Sequence, residues 1–216
     1  VAFDEGDNLY IAEGAGRIWV GTRKGFGSFD GDAFSAVTAE GGLPDAAVKR
    51  IVVTDGGQLW GATLGAGVIR YDGVNITVLT EDDGLPSNHV CDMTAEPGGS
   101  IVLATYRGIC QYGSAAAHPP GVRILAAESR ERANPPTAVE VPAGSPLRVL
   151  FAGASLNTTR MRYAYILRGR DGVWAGTWEE SVRYDDLPVG EYTLQVVAIN
   201  RDLVVSDVPT SRRRWR

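Results

Sequence analysis

The sequence predicts an all-β protein in which β-propeller blades are followed by a β-sandwich, and three observations predict it. The 216 residues include 27 Gly and 11 Pro, and β-branched and aromatic residues recur in short runs between these turn residues. A pattern of about 41 residues returns along the N-terminal half. The C-terminal part holds six short alternating runs separated by turn residues, which is typical of a sandwich.

The repeated unit appears when the segments Gly16–Gly31, Gly57–Gly73 and Gly99–Gly113 are aligned. Its fixed positions, at intervals of 41 or 42 residues, are a threonine and an aromatic residue: Thr22, Thr63 and Thr105, then Phe29, Tyr71 and Tyr112. A period in this range is typical of propeller blades, each a four-stranded antiparallel unit. Each of these repeated segments, called a lap below, therefore predicts strands separated by Gly turns. The glycines are interpreted as turn residues, not as phosphate-binding loops.

Two of the laps also share a Gly-Leu-Pro segment followed by an apolar strand, and after the first of these come Gly-x-Leu-Trp-x-x-Thr and Gly-x-x-x-Tyr-Asp-Gly. This pattern resembles the two-component regulator propeller repeat of bacterial sensor proteins. The resemblance implies that Leu43 and Leu85 pack between blades. It also implies that Pro44 and Pro86 stiffen the connection from the outer strand of one blade to the inner strand of the next. Trp60 is a further residue of the motif.

The repeats depart from the pattern at both ends. Val102 stands where the earlier laps have Trp19 and Trp60, and residues 7–12 look like the remnant of a preceding lap. About two and a half blades are therefore expected, and a propeller closes with four to eight. The chain opens in mid-pattern without Met, so we expect it to be a piece of a longer protein.

A second domain is expected after a change of composition. Residues 114–121 are rich in small residues and Pro and form a predicted linker between propeller blades at 1–113 and a sandwich at 122–216 with a basic tail. The run from Arg162 to Asn200 resembles the triple-tyrosine domain that follows regulator propellers, an immunoglobulin- and fibronectin-III-like sandwich. Its matching residues include Tyr163, Tyr165, Trp174, Tyr184, Leu187, Pro188, Gly190 and Tyr192.

These aromatic residues are expected in the core of the sandwich, Trp174 among them. Tyr192 follows Leu-Pro-x-Gly and suits a tyrosine corner, in which the hydroxyl bonds to the backbone upstream. The alternative is an exposed platform on which sugars stack. Leu203 is a departure from the resemblance, because a Gly is expected after the turn that contains Asn200.

The sequence does not predict catalysis, a cofactor or a metal. His89 and His118 have no partners at metal-ligand spacing, and adjacent carboxylates such as Asp82 and Asp83 point to opposite faces of a strand. Cys91 and Cys110 fall in the first and third strands of one blade, too far apart for a disulfide. The net charge of −5 disfavours nucleic-acid binding.

One face of the blades holds the residues that could bind a ligand. The loops that lead into the inner strand share this face with the loops between the second and third strands. The residues placed there vary from lap to lap, which suits adaptation to a ligand, although solvated loop residues are the alternative. They are Asp45, Asn88, His89, Tyr106 and Arg107, with Arg23, Lys24 and Ala46 beside them.

The resemblance implies the extracytoplasmic ligand-sensing region of a bacterial receptor, of the two-component sensor or diguanylate cyclase type. Such a receptor is expected to be a homodimer in the inner membrane that responds to a small molecule or glycan. The sandwich would relay the signal to a downstream membrane helix outside this chain. The alternatives are a lyase-type propeller enzyme, which needs a metal or a His and Glu pair on the central channel, and an adhesion or scaffold module.

Overall fold

The structure, a computed structural model, describes residues 10–23, 25–37, 43–113, 118–129, 132–134, 144–156 and 158–207. These residues contain eighteen strands in five sheets, and every pairing is antiparallel. Two compact units are present, one formed by residues 1–117 and 201–203 and the other by residues 118–200 and 204–216. The predicted all-β class is confirmed.

The first unit contains three sheets whose strands follow one another in sequence order. The first sheet is β1 (Tyr10–Gly14), β2 (Arg17–Thr22), β3 (Gly25–Phe29) and β4 (Phe34–Val37). The second is β5 (Val48–Val53), β6 (Leu59–Thr63), β7 (Val68–Tyr71) and β8 (Ile76–Leu79). The third is β9 (Val90–Ala95), β10 (Ile101–Thr105) and β11 (Gly108–Tyr112). Strand β5 contacts both β1 and β9, as the inner strands of neighbouring blades do.

The interpretation of residues 7–12 as a blade remnant is wrong for residues 10–12, the part that the structure describes. Strand β1 pairs along its whole length with β2, and the two complete a four-stranded blade. The connection is only Ala15 and Gly16, whose φ values of 54° and 69° fit a two-residue hairpin turn. The short spacing before Trp19 therefore reflects a tighter hairpin than the five-residue turn from Thr54 to Gln58 in the next blade.

The repeated threonines close the hairpins that follow them. In each blade the Thr hydroxyl donates to the carbonyl oxygen of a glycine that begins the next strand or directly precedes it: Thr22 to Gly25 at 3.2 Å, Thr63 to Gly67 at 2.6 Å and Thr105 to Gly108 at 2.8 Å. Gly67 cannot be replaced without a backbone shift, because it has a φ of 82° and an added Cβ would lie 2.0 Å from the Leu79 carbonyl oxygen. The threonine thus recurs because it closes each of these turns, over three residues in the first and third blades and four in the second.

The leucine of each Leu-Pro pair lies between two blades. Leu43 belongs to a buried cluster with Trp19 of the first blade and Leu59 of the second. Leu85 belongs to another, with Trp60 of the second blade and Ile101 of the third. Apolar contact between neighbouring blades is what makes repeat units stable together. Pro44 and Pro86 are half-buried beside these leucines, and their stiffening role remains a prediction.

The second unit contains two sheets that enclose one core. Its strands are β12 (Gly121–Ser129), β13 (Arg132–Asn134), β14 (Leu147–Ala154), β15 (Arg162–Arg168), β16 (Ala175–Thr177), β17 (Ser181–Tyr184) and β18 (Thr193–Ile199). One sheet has the order β13-β12-β14-β17 and the other β16-β15-β18. Val149 and Phe151 from the first pack against Tyr163 and Val196 from the second. This is the expected immunoglobulin- or fibronectin-III-like sandwich.

Three tyrosines of the predicted motif, Tyr163, Tyr184 and Tyr192, are buried in this core, and Tyr165 packs half-buried against it. The Tyr192 hydroxyl donates to the Pro188 carbonyl oxygen at 2.9 Å, which confirms the tyrosine corner. A Cβ at Gly190 would come within 3.3 Å of the Tyr192 ring, so the small residue makes room for it.

The assignment of Trp174 to the core is wrong. Its side chain is 42% exposed. Trp174 immediately precedes β16, which has only three residues and lies at the edge of its sheet. A short edge strand buries little of the residue before it, and the core is filled instead by residues such as Phe151 and Tyr163.

The turn after β18 adopts the conformation that the resemblance associates with glycine. Leu203 has a φ of 62°, and the turn is closed by a bond from the Asn200 backbone N–H to the Val204 carbonyl oxygen at 3.1 Å. The Asn200 side chain also accepts from the Val204 N–H at 2.9 Å. A three-residue loop that ends in a left-handed residue is a common hairpin form. Leu203 adopts it without being glycine.

Other predictions fall partly outside the described residues. Lys24, linker residues 114–117 and the basic tail from Arg212 onward lie outside them, and the predicted domain limits remain predictions. Residues 201–203, predicted within the sandwich domain, belong to the first compact unit. Cys91 and Cys110 are free thiols on β9 and β11, with β10 between those strands, as predicted.

Candidate functional site

Backbone hydrogen bonds join the predicted ligand loops into one surface at one end of the second and third blades. Leu64, in the turn between β6 and β7, donates to the Ala47 carbonyl oxygen at 3.3 Å and forms a bridge with His89. Tyr106, in the corresponding turn of the third blade, donates to the His89 carbonyl oxygen at 3.1 Å. The two kinds of loop therefore alternate along a continuous surface.

Four of the five predicted ligand residues lie together here, and we call Asn88, His89, Tyr106 and Arg107, with Glu81, the loop surface. The rings of His89 and Tyr106 stack with 5.2 Å between centroids and 19° between planes. Tyr106 is 69% exposed, so the outer side of its ring is open to solvent. The stacked pair offers an aromatic face to a ligand.

Glu81 holds the polar residues of the loop surface in place. Its backbone N–H donates to Asn88 Oδ1 at 2.8 Å, and its carboxylate accepts from the Asn88 N–H at 3.0 Å. Arg107 Nη1 lies 3.4 Å from the other carboxylate oxygen in an exposed ion pair. Exposed ion pairs contribute only about 0–1 kcal/mol to stability. Arg107 can therefore leave Glu81 and bind a ligand at a low cost in free energy.

Sequence reasoning did not single out Glu81. It lies in a single turn of 3-10 helix, Glu81–Asp83, that precedes the second Leu-Pro pair. The carboxylate reaches two loop residues only because the fold brings residues 81, 88 and 107 together. The glutamate of the earlier lap, Glu40, stands one residue closer to its Leu-Pro pair, so the repeat carried no signal for this role.

Asp45 takes a separate position. It is exposed in the loop that leads into β5, where the Ala46 N–H donates to the Pro44 carbonyl oxygen at 2.9 Å. The same loop is linked to the loop surface through Leu64, which bonds to Ala47 and forms a bridge with His89. Asp45 is therefore a neighbour of the loop surface along the row of loops, and its contribution to binding remains a prediction.

No group of three or more His, Cys, Asp or Glu side chains suited to a metal ion occurs within the described ranges. Across those same residues, no helix has the length and apolar character needed to cross a membrane.

No protein-family model matches the chain, and no curated protein matches it. Among solved structures, the extracellular domain of BT3049 of B. thetaiotaomicron, described as a hybrid two-component system, is similar at 20% identity with a TM-score of 0.46. The match covers 96% of this chain and 38% of that one, so the chain spans well under half of that relative.

Two other similar structures have different roles. PorZ, a surface component of the type-IX secretion system of Porphyromonas gingivalis, has 16% identity and a TM-score of 0.41, over 98% of this chain and 31% of PorZ. Virginiamycin B lyase of Staphylococcus aureus has 11% identity and a TM-score of 0.40, over 98% of this chain and 74% of the lyase. Likenesses at this level do not decide the function.

Proposed function

We propose that this chain is part of the extracytoplasmic sensing region of a bacterial signalling receptor, and that the loop surface binds its stimulus. The observation that carries the proposal is that the recurring and the variable residues of the repeat lie in different places and do different things. The residues that recur between laps close hairpins or pack between blades. The residues that vary, Asn88, His89, Tyr106 and Arg107, are instead gathered at one end of the blades.

The chemistry of the loop surface suits a small molecule or a glycan. The exposed ring of Tyr106 offers an apolar face with a polar hydroxyl, which is the kind of surface that recognises amphipathic ligands. Arg107 supplies donors in a rigid planar fork from an exposed ion pair. Recognition by an aromatic face with a few convergent polar groups is the usual pattern of ligand sites.

The sandwich supports the signalling part of the proposal. Regulator propellers followed by triple-tyrosine sandwiches are the arrangement that this sequence resembles, and the tyrosine corner at Tyr192 fits that kind of sandwich. On this proposal the chain lies in the periplasmic or extracellular part of an inner-membrane homodimer. The sandwich passes the signal toward a membrane helix and an output such as a histidine kinase or diguanylate cyclase.

The binding part is tested by calorimetric titration of the 216-residue chain with a panel of bacterial metabolites and oligosaccharides. Tyr106→Ala and Arg107→Ala should each weaken binding of a probe that the unaltered chain binds, by about tenfold. Arg183→Ala is the matched control, because Arg183 also forms an exposed ion pair, with Asp185, but lies in the sandwich. Unchanged binding in both loop variants, or no binding by any probe, would overturn the proposal.

The signalling part is tested in the receptor that contains this chain. Tyr106→Ala should abolish the response to the bound probe while the amount of receptor stays the same. A probe that the chain chemically converts would instead favour the lyase alternative. Normal signalling by a receptor that no longer binds the probe would contradict the assignment.

A further inference from the structure

A cavity lies at the opposite end of the blade strands from the loop surface. It is a cavity of about 300 Å³ beside the turns β5–β6 and β9–β10 of the first unit. The lining includes Asp55, Gly56, Gln58, Trp60, Arg70 and Tyr112. This volume is at the lower end of the range for small-molecule sites.

Two equivalent tryptophans of neighbouring blades differ at this end of the strands. Trp19 of the first blade donates its indole N–H to the Gly14 carbonyl oxygen at 3.1 Å. Trp60 occupies the same position in the second blade and is 1% exposed, yet its Nε1 has no hydrogen-bond partner within the residues that the structure describes. The longer turn from Thr54 to Gln58 replaces the short hairpin that supplies the acceptor in the first blade.

Trp60, the residue that carries this orphaned donor, lines the cavity. A buried N–H without a partner is unfavourable, and a ligand oxygen is one way to satisfy it. Gln58 points its amide oxygen at Arg70, with 2.9 Å from Arg70 Nη2 to Oε1. The Gln58 amide nitrogen is then available as a second donor. The buried part of the cavity thus favours an acceptor oxygen.

The charges around the cavity favour a ligand without net charge. Arg70 is already paired with Asp202, so its positive charge is largely offset. Asp55 is exposed and lies at the mouth, where its carboxylate repels anions and accepts hydrogen bonds. A cation drawn to Asp55 would meet the Arg70 guanidinium deeper in the cavity. Donors therefore lie at the buried end and an acceptor at the mouth.

We propose that this cavity binds a small molecule of zero net charge, with an acceptor oxygen at Trp60 Nε1 and a hydrogen-bond donor at the Asp55 carboxylate. A zwitterionic amino acid and a polyol or simple sugar both present this chemistry. Because Nε1 is buried in this structure, binding requires a rotation of the indole ring that brings Nε1 to the surface of the cavity. The site is separate from the loop surface, and either can fail without the other.

The experiment follows the indole N–H signals of the 216-residue chain by nitrogen-15 NMR while single probes are added. L-serine and D-xylose are the probes of zero net charge, and acetate and methylammonium are the charged comparisons. The Trp60 signal is assigned from its loss in Trp60→Phe, or by backbone-linked assignment if that variant does not fold. We expect serine or xylose to shift the Trp60 signal and to leave that of Trp19, whose N–H is bonded to Gly14, in place.

Two variants show whether the cavity is responsible. Gly56 lines the mouth at an ordinary φ, and a Cβ there would meet only Thr54 Oγ1 at 3.9 Å, so Gly56→Leu should block the cavity without strain. Gly172→Leu is the matched control, because a Cβ at that site in the sandwich meets nothing within 4 Å. Gly56→Leu should abolish the shift and Gly172→Leu should keep it, while Asp55→Asn weakens binding about tenfold.

Each outcome decides the proposal. A shift of the Trp60 indole N–H signal on addition of serine would identify an amino-acid site. A shift on addition of xylose would identify a polyol site. A shift by acetate or methylammonium alone would overturn the assigned ligand class. No shift by any probe, equal shifts of Trp19 and Trp60, or a shift that survives Gly56→Leu would overturn the site.

Discussion

Arg70 and Asp202 form an ion pair in which each side chain is only 3% exposed, with 3.3 Å between Nη1 and Oδ1. Both residues belong to the first compact unit. The Tyr112 hydroxyl donates to the same carboxylate oxygen, and Arg70 Nη1 also donates to the Arg201 carbonyl oxygen at 3.2 Å. The ring of Trp60 lies against the guanidinium, 4.9 Å from the Arg70 Cζ to its centroid.

Asp202→Ala should lower the free energy of unfolding of the first unit by about 3–5 kcal/mol, because it leaves the buried Arg70 charge without its carboxylate. Denaturant unfolding measures the change. The control is Asp185→Ala, which removes the carboxylate of the exposed pair with Arg183 and should cost about 0–1 kcal/mol. Equal losses in the free energy of unfolding would show that the buried pair stabilises the protein no more than the exposed pair does.

Stability should also fall in alkaline solution. The pKa of the Tyr112 hydroxyl is raised well above its ordinary value of 10 by burial, then by its bond to Asp202 and the negative charge of that carboxylate. The unfolded chain therefore loses this proton first, and the stability that Tyr112 contributes is lost as pH rises above 10. Unfolding titrations across this range should show a shallower decline for Tyr112→Phe. An identical slope in the variant would exclude Tyr112 as a cause of the loss of stability at high pH.

Leu203→Gly should destabilise the protein by roughly 1–3 kcal/mol even though Leu203 has a φ of 62°. The glycine relieves about 1–2 kcal/mol of left-handed strain, but loss of a buried leucine costs more. Ala15→Gly is the control, because Ala15 also has a positive φ, of 54°, and is exposed. It should be nearly neutral in thermal unfolding, since strain relief and the greater freedom of the unfolded glycine offset each other. Stabilisation by Leu203→Gly would mean that strain dominates at this turn.

Trp174→Ala should change the stability of the sandwich by less than about 1 kcal/mol, because surface substitutions are usually mild. Tyr163→Ala should cost about 3–5 kcal/mol, since Tyr163 is buried against Phe151 with 4.9 Å between ring centroids. Thermal melting monitored by circular dichroism separates the two. Equal losses of stability would show that Trp174 belongs to the core after all.

Tyr192→Phe should destabilise the sandwich by about 1 kcal/mol. The ring keeps its packing, but the Pro188 carbonyl oxygen loses its donor. Tyr106→Phe, at an exposed ring of the loop surface, is the matched control and should leave the melting temperature unchanged. An unchanged melting temperature for Tyr192→Phe as well would show that the tyrosine corner adds no stability here.

The repeat made the blades predictable because its fixed residues act locally. Thr63 bonds to Gly67 four residues away, so sequence spacing alone indicates the turn. The tyrosine corner is also local, since Tyr192 and Pro188 are four residues apart. By contrast, the hairpin at Ala15 and Gly16 was mistaken for a break in the repeat, because the spacing shows only that the turn is shorter.

The sequence by itself determined the all-β class, the repeating hairpins, the sandwich core around Tyr163 and the loops that carry the variable residues. Tertiary structure alone decided that Trp174 is exposed, that Glu81 joins Asn88 and Arg107, and that Trp60 lacks the acceptor that Trp19 has. The physical reason is distance along the chain. Short-range hydrogen bonds follow from spacing, whereas burial and pairing between distant residues, such as Arg70 and Asp202, depend on how the strands pack.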